Sequence, residues 1–160
     1  AVMKGVLSPA LKQSVNYVNS LVVAKDRNIR VLETKSSLVQ EFTSLVDVAV
    51  VAGDKTISVS GTVVGRRYPR IVRFGDFFLE AVPKGSILVV ENEDRPGVVG
   101  SLGTLLGEHS VNIARLQLGR RKKVKEAVAF LNIDSPVSAE LLEKIVTLPN
   151  VLSVRQVELS

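Results

Sequence analysis

The chain has 160 residues and no cysteine, which excludes disulfides, thiolate metal sites and a cysteine nucleophile. Its single histidine, His109, falls in the last turn of a helical pattern and reads as a helix-end residue rather than a catalytic acid or base. Aromatic residues are few, two tyrosines and five phenylalanines. None interleaves with the basic run RRKKVK at 120–125, so base-stacking platforms are missing there and the run reads as a solvated hairpin loop. No apolar stretch approaches the length of a bilayer span, and the N-terminus lacks the charged-then-apolar pattern of a signal peptide. The expectation is a soluble, cytoplasmic protein with no metal site and no nucleic-acid or membrane partner.

What is present is apolar residues and unevenly placed charge. Hydrophobic residues make up 46% of the chain, enough for a packed core without covalent staples. The formal net charge is +5. All of it lies in residues 1–85, with 12 Lys/Arg against 7 Asp/Glu, whereas residues 86–160 carry 9 against 9. The change falls near Pro83-Lys84-Gly85, whose turn chemistry marks a domain boundary.

Along the chain, MKGVLSPALKQ (3–13) reads as a short helical piece weakened by Gly5 and Pro9, and SLVVAKDR (20–27) as a second helix closed by Asn28. RVLETKSS, LVDVAVVAG and KTISVSGTVVG are rich in β-branched residues and predict strands. Gly53-Asp54-Lys55 is a natural hairpin loop, and RIVRFGDFFLEAV predicts another hairpin at Gly75-Asp76. The abrupt start, a helix with no strand before it, predicts a piece cut from a larger protein.

The second half is more regular. SILVVEN (86–92) predicts a buried strand, and Val98, Leu102, Leu105, Leu106 and His109 mark an amphipathic helix over 98–109. VNIARLQLG and KEAVAFLNID predict a strand pair. Ser138 caps a second helix, with Val137 and Leu142 as a hydrophobic staple, and Leu141, Leu142, Ile145 and Val146 fall on one side. VLSVRQVEL is the last strand. This β-α-β-β-α-β order predicts a ferredoxin-like sandwich, and the whole chain an α+β fold.

The stretch ENEDRPGVVG (91–100) crowds acids against the start of a helix. Such a loop suits a free amino acid. Asp94 offers a carboxylate to the ammonium, and the backbone amides of Gly97 and Val98 offer donors to the carboxylate, reinforced by the helix dipole. Asn92 and Asn112 add amides that donate and accept, and the three side chains are expected to converge within one chain or across a dimer. The same residues also read as ordinary caps and turn formers. Gly97, Gly100 and Gly103 match neither phosphate-loop pattern. Gly100 and Gly103 lie inside the helix, which predicts close approach of a facing strand or a partner subunit.

NEDRPGVVGSLGTLLGEHSVNIARLQLGR strongly resembles the ACT domain that ends many D-3-phosphoglycerate dehydrogenases. SVNYVNSLVVAKDRNIRVLETKS, VSGTVVG and PRIVRFGDFFLEAVPKG resemble the allosteric substrate-binding (ASB) domain that precedes it. The resemblance implies an N-terminally incomplete ASB domain over 1–84 and an ACT domain over 85–160. It implies L-serine, or a similar amino acid, bound between two self-associated ACT domains through the positions of Asn92, Asp94 and Asn112, as feedback control of serine biosynthesis. It implies no catalytic residue and no cofactor in this fragment, with NAD used by the catalytic region of the parent enzyme.

In that family the ASB domain also carries a site for phosphate or a phosphorylated substrate. RRYPRIVR (66–73) supplies four arginines. If the stretch is extended, Arg66 and Arg70 share one face, and Arg70 falls where the characterised form has a basic residue. The other two basic positions of that form are Val82 and Asn132 here. The stretch also reads as a solvated basic edge strand. Two alternative functions remain: the regulatory part of an iron–sulfur L-serine dehydratase, and a basic nucleic-acid-binding module centred on RRKKVK.

Overall fold

The computed structural model describes residues 2–8, 11, 14–36, 44–121 and 123–159. The chain divides into two compact units, Ala1–Glu41 and Phe42–Ser160. In the first, α1 (Val2–Leu7) and α2 (Ser20–Asp26) bury Leu7, Val15, Val23 and Ala24 together. Asn28, at φ 55°, ends α2 in the left-handed conformation that asparagine tolerates. The helical reading past Leu7 falls partly on residues 9, 10, 12 and 13, outside the described residues.

One expected strand is absent. Residues 30–36 of RVLETKSS join no ladder among the described residues, and Ser37 lies outside them. A strand persists only where its backbone groups find a partner. Here Val31 and Leu32 are exposed, so no apolar face draws the segment onto a sheet.

The second unit holds two four-stranded antiparallel sheets. β1 (Val46–Ala52), β2 (Lys55–Val64), β3 (Tyr68–Phe74) and β4 (Phe77–Ala81) form a meander in that order. Two-residue loops join β1 to β2 and β3 to β4, with Gly53 and Gly75 at φ 60° and 54°, as tight hairpins require. The β2–β3 turn contains Arg66 at φ 65°, so Arg66 and Arg70 do not share the face of one extended strand. The strand begins only at Tyr68.

The second sheet comprises β5 (Gly85–Glu93), β6 (Ile113–Arg121), β7 (Glu126–Ile133) and β8 (Val151–Leu159), ordered β6-β7-β5-β8. With α3 (Val98–Glu108) and α4 (Ala139–Val146) it makes the expected β-α-β-β-α-β arrangement. Alternation along β5 and β7 sorts the core into two layers. Leu88, Val90, Ala129, Leu131 and Ile133 face Leu102, Leu106, Leu141 and Ile145 of the helices. Ile87, Val89, Val128 and Phe130 face Ile71, Phe74, Phe77, Leu79 and Ala81 of the first sheet, with Phe74 edge-on to Phe130 at 5.5 Å. Cover on both faces explains why ILVV (87–90) and AVAFL (127–131) are unbroken apolar runs.

Ser138 caps α4 by accepting a hydrogen bond from the Leu141 amide at 3.2 Å, and Val137 and Leu142 join the same core. Val146 is exposed instead; it lies in the last turn, past the edge of the apolar stripe. Gly100 and Gly103 have open space where a Cβ would stand, so no facing strand accounts for them among the described residues. No helix among those residues is long and apolar enough to cross a membrane.

Candidate functional site

The loop from β5 to α3 is held on both sides. The Glu93 amide donates to the Asn150 carbonyl, and the Asp94 amide donates to the Lys125 carbonyl, each at 2.8 Å. A bulge in the β5–β8 pairing falls between Glu91 and Asn92, and bulges re-aim side chains at strand ends. Gly97 follows at φ 95° and leaves α3 with no side-chain cap. The first amides of α3 thus open onto a cleft of about 300 Å³ lined by Asn92, Asp94, Gly97, Val98, Leu118 and Arg120 among others.

Asn92 is 4% exposed. Its Nδ2 donates to the Glu93 carbonyl at 2.6 Å, whereas its buried Oδ1 has no hydrogen-bond partner among the described residues. An unpaired buried acceptor costs about 1–3 kcal/mol.

Asp94 is not a free acceptor. Arg120 Nε lies 3.0 Å from Asp94 Oδ1 and 2.9 Å from Oδ2, and a second guanidinium nitrogen lies 2.9 Å from Oδ2. Arg95 pairs with Glu93 at 2.5 Å. Arg120 stood out in the sequence only as part of RRKKVK. The missed signal was its place at the end of a strand running parallel to β5, beside the same loop.

Asn112 is elsewhere. β5 and β6 both run antiparallel to β7, so the start of β6 lies at the opposite end of the sheet from the loop. Asn92 pairs with Ala127 and Ile113 with Ile133. Six residues along β7 separate these pairs, about 20 Å at the rise of an extended strand. Asn112 donates instead to Asp134 at 2.8 Å. The single-chain convergence expected for it does not occur, because the two strands are parallel and like ends meet.

The arginines of the first sheet are also engaged. Arg70 Nε lies 3.7 Å from Glu80, and its guanidinium lies over the Tyr68 ring. Arg73 contacts Asp47 at 2.8 Å and Ser60 at 2.9 Å. Asn132 donates to the carbonyls of Val82 and Lys84 at 3.1 and 2.9 Å, so it ties the segment between β4 and β5 to the second sheet. His109 closes α3 through Nδ1 and the Leu105 carbonyl at 2.8 Å, with its other ring nitrogen 3.2 Å from Lys144 Nζ, a helix-end role.

Fold and cleft define a small ferredoxin-like module backed by a second antiparallel sheet. Residues 1–75 match the family described as the D-3-phosphoglycerate dehydrogenase intervening domain, and residues 86–150 match the ACT domain. Three relatives each align over 99% of this chain and are all D-3-phosphoglycerate dehydrogenases. They come from Methanocaldococcus jannaschii (33% identical), Bacillus subtilis (31%) and Archaeoglobus fulgidus (34%). The chain spans about 30% of the length of these relatives. It belongs to the regulatory region of the D-3-phosphoglycerate dehydrogenase family, an intervening domain followed by an ACT domain.

Proposed function

We propose that this chain is the amino-acid-sensing part of a D-3-phosphoglycerate dehydrogenase, with an ASB domain over 1–84 and an ACT domain over 85–160. It binds L-serine between two ACT domains and feeds that occupancy back to NAD-dependent catalytic domains elsewhere in a cytoplasmic parent. The observation that carries the reading is the buried, unpaired Oδ1 of Asn92 beside the uncapped start of α3. One is an acceptor and the other a set of donors, which is what the two charged ends of an amino acid require. The relatives' names favour a dehydrogenase over a dehydratase.

Asn112 enters this reading only through a second copy. β6 is an edge strand, and two copies pairing β6 to β6 antiparallel would set the start of one strand beside the end of the other. Such a pairing would bring one copy's Asn112 next to the other's cleft. A phosphorylated anion at the first sheet is less well supported, because Glu80 already engages Arg70 and Arg66 sits in a turn. The nucleic-acid reading loses Arg120 and Arg121 to ion pairs with Asp94, Asp76 and Glu126.

Calorimetric titration with L-serine tests the proposal, with D-serine and the Asn112→Ala variant as controls. Saturable heat is expected with L-serine, with affinity about tenfold lower or worse in both controls. Absence of L-serine binding by a folded dimer would rule out the serine reading.

A further inference from the structure

An edge strand carries unpaired N–H and C=O groups, and proteins usually blunt it with lysine, proline, a bulge or a cover. β1, at the edge of the first sheet, has none of these. Its seven residues, VDVAVVA, include neither lysine nor proline, and no residue of it is buried. Its pairing with β2 runs without a bulge. Its outward backbone groups have no hydrogen-bond partner among the described residues. The one charge on the strand, Asp47, is taken up by Arg73 at 2.8 Å. The opposite edge of the same sheet differs: β4 lies against the second sheet, where Gly119 meets Phe77 and Phe78.

We propose that β1 is an interface between copies of this chain, pairing antiparallel with β1 of a second copy about a two-fold axis at Ala49. A two-fold contact repeats each charge of one edge on the other, so an edge without free charge suits it. In a chain of net charge +5, β1 is such an edge. The strand is also self-complementary about its midpoint. With Ala49 on the axis all seven residues overlap. Val48 then meets the second copy's Val50 and Val46 its Ala52 on one face, and Asp47 meets its Val51 on the other. Val50 and Val51, 45% and 70% exposed in the single chain, are each covered by a cross-strand partner. The two Asp47 residues stay about 14 Å apart along the strands, beyond the ~8 Å screening length of physiological salt. This contact lies on a different sheet from β6 and does not depend on the amino-acid reading.

The chain has no cysteine, so single introduced thiols report the pairing directly. Ala49→Cys sets two thiols on the axis, with Cα atoms about 4.5–5.5 Å apart, within disulfide reach. Val51→Cys, on the same face of the same strand, sets them about 14 Å apart along it, too far to bridge. Under mild oxidation Ala49→Cys is expected to give a disulfide-linked dimer and Val51→Cys to stay unlinked. Val50→Lys adds the charge that edge strands use against pairing. It should abolish the cross-link when combined with Ala49→Cys. Alone, it should lower the association of the chain by one step in sedimentation velocity at high concentration. Thermal unfolding of each variant checks that the fold persists.

The proposal is overturned if Ala49→Cys cross-links no faster than Val51→Cys, since that would be random collision of exposed strands. It is equally overturned if Val50→Lys changes neither the cross-link nor the sedimentation. Protection of both thiols from a small alkylating reagent, without cross-linking, would also sink it, because another segment would then cover β1.

Discussion

Val51 of β1 and Leu131 of β7 are both apolar strand residues in neighbouring sheets, yet Val51 is 70% exposed and Leu131 0%. The contrast extends to their surroundings. β7 is paired on both sides and covered on both faces, by helices and by the β3–β4 hairpin. β1 is an edge strand, and Val46, Val50, Val51 and Ile57 of the β1–β2 pair are all exposed. Apolar composition makes a strand, but burial depends on what the topology lays over it. Stability therefore concentrates in the second sheet, which also frames the cleft.

Leu131→Ala should have the largest effect. It empties the layer between β7 and the helices and is expected to cost about 2–5 kcal/mol. Val51→Ala removes almost no buried surface and should stay within about 0.5 kcal/mol. Urea unfolding of both variants at matched concentration checks the contrast. Comparable losses would mean that β1 is covered in solution and that the difference between the sheets is smaller than their exposures indicate.

The same contrast explains how far the sequence could be read. In the second half, the capping serine at 138, the unbroken run of β5 and the strand alternation of β6 are local signals, and the β-α-β-β-α-β order follows from them. Which strand ends meet is not local. The loop acid meets Arg120 rather than Asn112 because β5 and β6 run parallel on either side of β7. Nothing within ENEDRPGVVG or VNIARLQLG encodes that alone. In the first half, RVLETKSS has strand-forming residues but no ladder among the described residues, and Arg66 sits in a turn that β-propensity did not reveal. The missing information was in each case a partner, not a propensity.

Gly119→Ala sharpens the comparison where the two sheets touch. A Cβ at Gly119 would stand 2.9 Å from the Phe77 Cβ and 3.0 Å from the Phe78 carbonyl oxygen. Both contacts belong to the β4 backbone or its first side-chain atom, so neither swings aside cheaply. The expected cost is about 1–3 kcal/mol, as for other overpacked sites. Limited proteolysis should show faster cleavage near Gly75-Asp76 than in the helices, because the strain acts on the β3–β4 hairpin. Uniform acceleration of cleavage would instead indicate general destabilisation.

A smaller expected loss than that at Leu131 or Gly119 concerns the helical cover of the second sheet. Ser138→Ala removes the acceptor that satisfies the Leu141 amide and should cost about 1 kcal/mol, the usual value for a lost serine cap. The loss should not grow larger, because Val137 and Leu142 still pack into the core and the Val137 amide still donates to Gln156 Oε1 at 2.7 Å. Ser138→Asp, which keeps an acceptor and adds charge favourable to the helix dipole, should recover most of the stability. If Ser138→Asp proved as costly as Ser138→Ala, α4 would owe its start to packing and the Gln156 contact rather than to the cap. The two faces of the second sheet would then be held by the same means, side-chain burial.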